Sequence, residues 1–179
     1  MPLKYRLDYS DLQTPLDDSK RYELAWGTLL VTPSPSLDHQ RVSKRLQRQL
    51  EAYFERHGIG EVFQAPLDLI LTSEDVFVPD LVVVAEPVPR SHGIDVPPLL
   101  VIEILSPATR ERDRGLKAVR YAELGVANYW IVDPEARRIE CFRLEEGAYV
   151  SIAACEGDGL LFHPDWQGLA IDAFALWRV

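Results

Sequence analysis

Glu103 stands in the middle of the stretch 99–107, Leu-Leu-Val-Ile-Glu-Ile-Leu-Ser-Pro. An aliphatic run of this kind reads as a strand buried on both faces. An ionised carboxylate inside such a strand is costly unless it is paired or binds a metal. A second carboxylate, Asp80, follows Pro79 within another apolar run, 76–84. Adjacent strands lie about 4.8 Å apart, so if the two runs are neighbours, Asp80 and Glu103 reach one cation together. Oxygen-only ligation suits Mg2+ or Mn2+. Such an ion acidifies a water and stabilises charge on a phosphodiester under attack. Asp113 and Lys117 are four residues apart, on one face of an expected helix, and Tyr121 continues that face. A lysine there can orient or polarise the water and hold a phosphate oxygen. Each residue also has a plainer reading. Asp80 suits a turn, Glu103 and Lys117 suit a buried ion pair, and Asp113 with Lys117 suits a surface pair worth about 0.3–0.5 kcal/mol.

A mixture of strands and helices must position these groups. The segment 22–31 reads as two short strands around a turn at Trp26 and Gly27. A helix is expected over 37–57, with Val42, Leu46, Leu50, Tyr53 and Phe54 on one face, Ser36 or Asp38 as its cap, and Gly58 and Gly60 ending it. Segments 61–71 and 76–85 read as a hairpin around the polar residues 72–75. Residues 86–98 are too rich in proline for an element. The central strand, 99–105, leads into a helix over 109–124, stopped by Gly125, and then into a buried strand over 128–133. A hairpin follows over 138–144 and 148–154, and the segment 160–179 adds a short strand and a helical turn. Residues 1–20 read as a loosely structured lead-in. The pattern predicts an α/β fold in a single domain, 1–179, whose central mixed sheet is flanked by helices and extended by extra β-hairpins.

Composition narrows the function classes. The 179 residues are 47% hydrophobic and 26% charged, the balance of a globular chain. No apolar run approaches the ~20 residues of a membrane span, and the polar start is unlike a signal peptide. Two cysteines, Cys141 and Cys155, show no metal-ligand spacing, so a reducing cytoplasm is the expected location. The net charge of −9 argues against tight, non-specific nucleic-acid binding but not against a local basic strip. Arg110, Arg112, Arg114 and Arg120 offer such a strip on the expected helix 109–124, or simply a solvated face. Ser106 has no nucleophile elbow around it, and Tyr129 and Trp130 read as core aromatics.

Taken in order, several motifs resemble a known family. They are Pro79-Asp80; Glu103-Ile104-Leu105-Ser106-Pro107; Asp113, Lys117 and Tyr121; and the run 125–134, Gly-Val-Ala-Asn-Tyr-Trp-Ile-Val-Asp-Pro. The layout resembles the PD-(D/E)XK nuclease superfamily, and more closely the bacterial Uma-type restriction-endonuclease-like family, from about Tyr22 to the C-terminus. The resemblance implies a restriction-endonuclease-like core. It also implies Mg2+- or Mn2+-dependent hydrolysis of DNA phosphodiesters, with Asp80 and Glu103 as metal-holding catalytic residues and Glu23 as an additional ligand. The superfamily's lysine, two residues after the acidic residue, is replaced here by Leu105. Lys117 on the following helix is then the candidate catalytic lysine, expected within about 4–6 Å of both carboxylates with open space between. His39, Asp113, Tyr121, Arg110 and Arg114 would support the site or contact substrate. Trp26 stands where family members often have an acidic residue. A homodimer or higher homo-oligomer is expected, because a duplex has two strands to cut. The rival readings are a nuclease-fold protein that binds nucleic acid or a protein without cutting, and a metal-dependent hydrolase of small phosphorylated substrates.

Overall fold

The computed structural model describes residues 6–13, 20–88 and 92–178. A six-stranded mixed sheet forms the centre, in the order β10-β9-β8-β7-β6-β3. Its strands are β3 (Gly60–Gln64), β6 (Leu81–Ala85), β7 (Leu100–Ile104), β8 (Asn128–Asp133), β9 (Arg138–Glu145) and β10 (Ala148–Glu156). Only β7 and β8 run parallel, joined by the strand–helix–strand passage expected from the sequence. A second sheet, in the order β2-β1-β5-β4, is built from β1 (Lys20–Ala25), β2 (Thr28–Pro33), β4 (Leu69–Thr72) and β5 (Asp75–Phe77). A small pair, β11 (Leu160–Phe162) and β12 (Ala170–Asp172), precedes α5 (Ala173–Trp177). Among the described residues no helix is long and apolar enough to cross a membrane.

Strand alternation divides the interior into two layers. From β7, Leu100, Ile102 and Ile104 enter one apolar cluster, with Trp130 and Val132 of β8 and with Val42, Leu46, Leu50 and Phe54 of α2 (Leu37–Phe54). Val101 and Leu105 enter the other, with Tyr121, Tyr129, Ile131 and Phe77. Glu103 shares the parity of Val101 and Leu105. Its carboxylate therefore points into the layer between the large sheet and the segment 110–123, at 2% exposure. The helix α2 is capped by Ser36, whose hydroxyl accepts the His39 amide, and ends a turn earlier than the glycines suggest.

Three segments depart from expectation. The run 76–84 is not one strand: β5 pairs with β4 and β1 in the small sheet, whereas β6 pairs with β3 and β7 in the large one. Pro79 and Asp80 lie at the crossing between sheets. Proline has no N–H for a ladder bond, so a sheet boundary suits it. The passage 109–124 is not a uniform α-helix but α3 (Arg110–Arg112), a π-helical turn (Asp113–Lys117) and α4 (Ala118–Glu123). The lead-in is partly built: residues 6–13 contain α1 (Tyr9–Leu12), capped by Asp8 and tied to the β-turns through Leu7 N–H to Gly27 O and Tyr9 N–H to Ser73 O. Residues 1–5 and 14–19 of the lead-in, 89–91 of the proline-rich loop and Val179 lie outside the described residues. The β1–β2 turn falls at Trp26 and Gly27 as read, both at positive φ, and a Cβ on Gly27 would lie 2.8 Å from that of Arg6.

Candidate active site

The Lys117 ammonium lies 2.8 Å from Glu103 Oε1 and 2.8 Å from Glu23 Oε1, with Asp113 Oδ1 at 3.7 Å. Three separate stretches of chain bring these groups together. Glu103 comes from the buried strand β7. Glu23 comes from β1, where it is fully buried and also accepts the Val78 amide at 2.9 Å. Asp113 and Lys117 come from the two ends of the π-turn. Single π-turns inside helices are frequent at functional sites. Tyr121, one turn further, donates to Glu103 Oε1 at 3.0 Å. Tyr129 of β8 donates to the Asp113 carbonyl at 2.9 Å and so holds the π-turn to the sheet.

Asp80 has its own set of donors. Its Oδ2 accepts the Ile104 amide at 2.8 Å and lies 3.1 Å from His39 Nε2, and its Oδ1 accepts from Arg21 at 3.0 Å. His39 Nε2 also lies 3.0 Å from the Ile104 carbonyl. Both neighbours are acceptors, so this nitrogen carries the proton. The 24-residue separation of Asp80 from Ile104 is thus closed by the β6–β7 pairing. Arg21 was not among the expected residues. The signal for it was available: Arg21 and Glu23 are two apart on a strand, hence on one face, and one of them was already a candidate.

Charge explains the electrostatics of the group. Four buried carboxylates (Glu23, Asp80, Glu103 and Asp113) face two full positive charges, Arg21 and Lys117. Burial pushes the Glu103 carboxyl up to about 8 against the pull of Lys117, with Asp113, Asp80 and Glu23 adding to the rise. Burial likewise raises Asp113. Burial opposes ionisation of Asp80 too, but His39, Arg21 and the Ile104 amide hold its pKa below the usual carboxylate range. For Lys117, burial favours the neutral amine, yet Glu103, Glu23 and Asp113 outweigh it and raise the pKa, so the group is an ammonium at neutral pH. A lysine in that state donates hydrogen bonds and supplies charge; it does not take up a proton.

The four carboxylates, Lys117, Arg21 and His39 line a cleft of about 250 Å3. Its donor chemistry fits a hard divalent cation. Two buried carboxylate oxygens, Glu23 Oε2 and Asp113 Oδ1, accept no hydrogen bond. Glu23 Oε1 and Glu103 Oε1 are held by Lys117, and Asp80 Oδ1 by Arg21. Among the described residues no three acidic, histidine or cysteine side chains converge closely enough to enclose an ion. The expected open space between Lys117 and Glu103 is absent, because the two are in direct contact. Arg110 and Arg114 lie apart from the cleft lining. Arg110 pairs with Asp133 and Glu135, and Arg114 with Glu140. Arg112 does line the cleft and bonds Thr32.

Residues 7–173 match the family model described as "Uma2: Putative restriction endonuclease". The chain belongs to this family. A solved structure described as "a putative nuclease belonging to DUF820 from Anabaena variabilis ATCC 29413" superposes with a TM-score of 0.77 over 93% of this chain and 94% of that one. The two are 19% identical, so the likeness is one of fold. No curated protein matches the chain. The α/β architecture with its central mixed sheet is therefore that of a nuclease-fold family member. The motifs that carried the resemblance, at 80, 103, 113, 117, 121 and 125–134, all fall within the matched span.

Proposed function

We propose that this family member is a Mg2+- or Mn2+-dependent nuclease that hydrolyses DNA phosphodiester bonds. In this reading the lysine missing at position 105 is supplied by Lys117. The observation that supports the reading most is the 2.8 Å contact of Lys117 Nζ with both Glu103 and Glu23. A lysine stem from the π-turn thereby reaches the strand carboxylate that a lysine at position 105 would have flanked. Asp80, Glu103 and Glu23, which do not enclose an ion as they stand, would close on it when it binds. When bound, it would neutralise charge on the phosphoryl oxygens and acidify the attacking water. Lys117, permanently charged, orients that water and holds a phosphate oxygen. Tyr121 keeps Glu103 in place, while His39 and Arg21 fix Asp80. Duplex cleavage would use a symmetric dimer, one site for each strand.

Titration calorimetry of Mn2+ or Mg2+ into the wild type and Glu103→Ala, followed by incubation with plasmid and single-stranded DNA, tests this directly. One metal site lost in Glu103→Ala, together with nicking that Lys117→Ala abolishes, is the expected result. Unchanged metal binding in Glu103→Ala would sink the site assignment. Metal binding without cleavage of any DNA would favour a member of the fold that binds without cutting.

A further inference from the structure

The cleft is not closed at its far end. Ser36, His39, Ser106 and Pro107 line both the cleft and a second groove of about 430 Å3, which runs on between the N-terminal half of α2 and the C-terminal helix α5. The second groove is rich in arginine: Arg41, Arg45, Arg137 and Arg178, with Arg110 at its edge, line it against only two carboxylates, Asp38 and Glu135. In a chain of net charge −9, so many cations around one groove run against the overall balance.

The arginines differ in how firmly they are held. Arg110 is bound to Asp133 and Glu135. Arg41 pairs with Asp38 and Arg137 with Asp158 only through exposed side chains, weak contacts open to exchange. Arg178 rests on the Phe174 ring, and Arg45 donates to the Leu176 and Arg178 carbonyls and has no carboxylate partner among the described residues. By contrast, the helix face read from sequence as a basic strip is spoken for. Arg114 pairs with Glu140, and Arg120 with Asp75 and Glu123.

We propose that this groove is the track of the substrate backbone, in which the phosphates flanking the cleaved bond leave the cleft past Ser36 and Pro107 and lie against Arg41, Arg137 and Arg178. The inference rests on the nuclease reading above and names the surface through which it acts. Backbone phosphates are the ligand that such a set of exposed guanidinium groups fits, and each contact releases counterions, so the interaction carries a salt signature.

The test compares two triple variants of the full chain with equal loss of charge. One is Arg41→Ala/Arg137→Ala/Arg178→Ala in the groove. The other is Lys44→Ala/Arg48→Ala/Arg56→Ala, three exposed cations of α2 and the turn after it that do not line the groove. Binding of short fluorescein-labelled single-stranded and duplex DNA is followed by anisotropy in EDTA, from about 50 to 200 mM salt. Circular dichroism and thermal melts check that both variants are folded. The groove variant is expected to bind about tenfold or more weakly, with the slope of log Kd against log salt reduced by about two to three, and the control within about twofold of wild type. Equal weakening of both variants, or no weakening of the groove variant, overturns the track and leaves the nuclease reading standing. A wild type that binds no DNA overturns the track, and the calorimetry and cleavage assay above decide the nuclease reading separately.

Discussion

Glu103 keeps a proton in the folded chain at pH values where the unfolded chain has released it. Its pKa rises from 4.5 to about 8, so metal-free stability is lost as pH climbs through that window. Glu103→Gln retains an oxygen that can accept from Lys117 and Tyr121 but carries no charge. We expect it to raise metal-free stability at pH 8 by about 1–3 kcal/mol, to flatten the pH dependence above pH 5 in chemical denaturation, and to abolish metal-supported cleavage. A variant less stable than wild type at pH 8 would contradict this. Lys117 has the opposite character. Lys117→Met leaves Glu23, Glu103 and Asp113 facing one another without their cation, and breaking such a buried pair costs about 3–5 kcal/mol. Thermal melts should show that loss. Added Mg2+ should then raise the melting temperature of the variant more than that of wild type, because the ion replaces a missing positive charge. At this scale the sequence was informative about which groups meet, since Glu23, Glu103, Asp113 and Lys117 lie in one contact set. It was uninformative about Arg21 and about the direct Lys117–Glu103 contact, because side-chain reach depends on backbone geometry that spacing does not encode.

Elements carry the next level of control. Strand periodicity correctly placed Glu103 in a buried strand, and the β3–β6 and β4–β5 pairings contain the hairpin expected over 61–85. Continuous hydrophobicity could not reveal that this hairpin is shared between two sheets, since both halves are equally apolar and only Pro79 marks the crossing. The π-turn was illegible for a similar reason. Residues 113–117, Asp-Arg-Gly-Leu-Lys, carry no pattern that separates a π-turn from an α-helix. What holds it lies elsewhere in the chain: the Tyr129 hydroxyl on the Asp113 carbonyl, inside a layer in which Tyr121 and Tyr129 pack at 5.4 Å. Tyr129→Phe removes that donor from a buried carbonyl. We expect a loss of about 1–2 kcal/mol in stability and a lower kcat with little change in KM, because Lys117 is aimed less well while the substrate groove is untouched. Gly115 is the complementary probe. A Cβ there meets nothing within 4 Å and its φ is not positive, so Gly115→Ala should stabilise by up to about 1 kcal/mol and leave activity intact. An activity loss in Gly115→Ala would show that the turn must flex.

Across the whole molecule the large sheet separates two layers that respond differently to acid. Glu103 and its neighbours fill one. In the other, the tail carrying β11, β12 and α5 packs on the sheet through an aromatic stack in which His163 lies 4.1 Å from Trp166 and 5.5 Å from Trp130. His163 Nδ1 accepts the Asp165 amide at 3.2 Å, which places the proton on Nε2, and that nitrogen is buried without a partner. A second proton would put a cation between indole rings with no buried anion to receive it. Burial accordingly pushes the His163 pKa from 6.5 down to about 4, only partly countered by Asp165. Between those values the unfolded chain binds a proton that the folded chain refuses, so this contribution to stability is full above pH 6.5 and is lost as pH falls towards 4. The loss amounts to about 3 kcal/mol at most, and Glu103 works in the opposite direction over part of the same range, so the wild-type curve alone does not separate them. Denaturant unfolding of wild type and His163→Phe at neutral pH and at about pH 4.5 does. The stability of the variant relative to wild type should improve by about 2 kcal/mol on going to the acid condition. Parallel pH profiles would mean that His163 titrates normally and that the tail is held by packing alone.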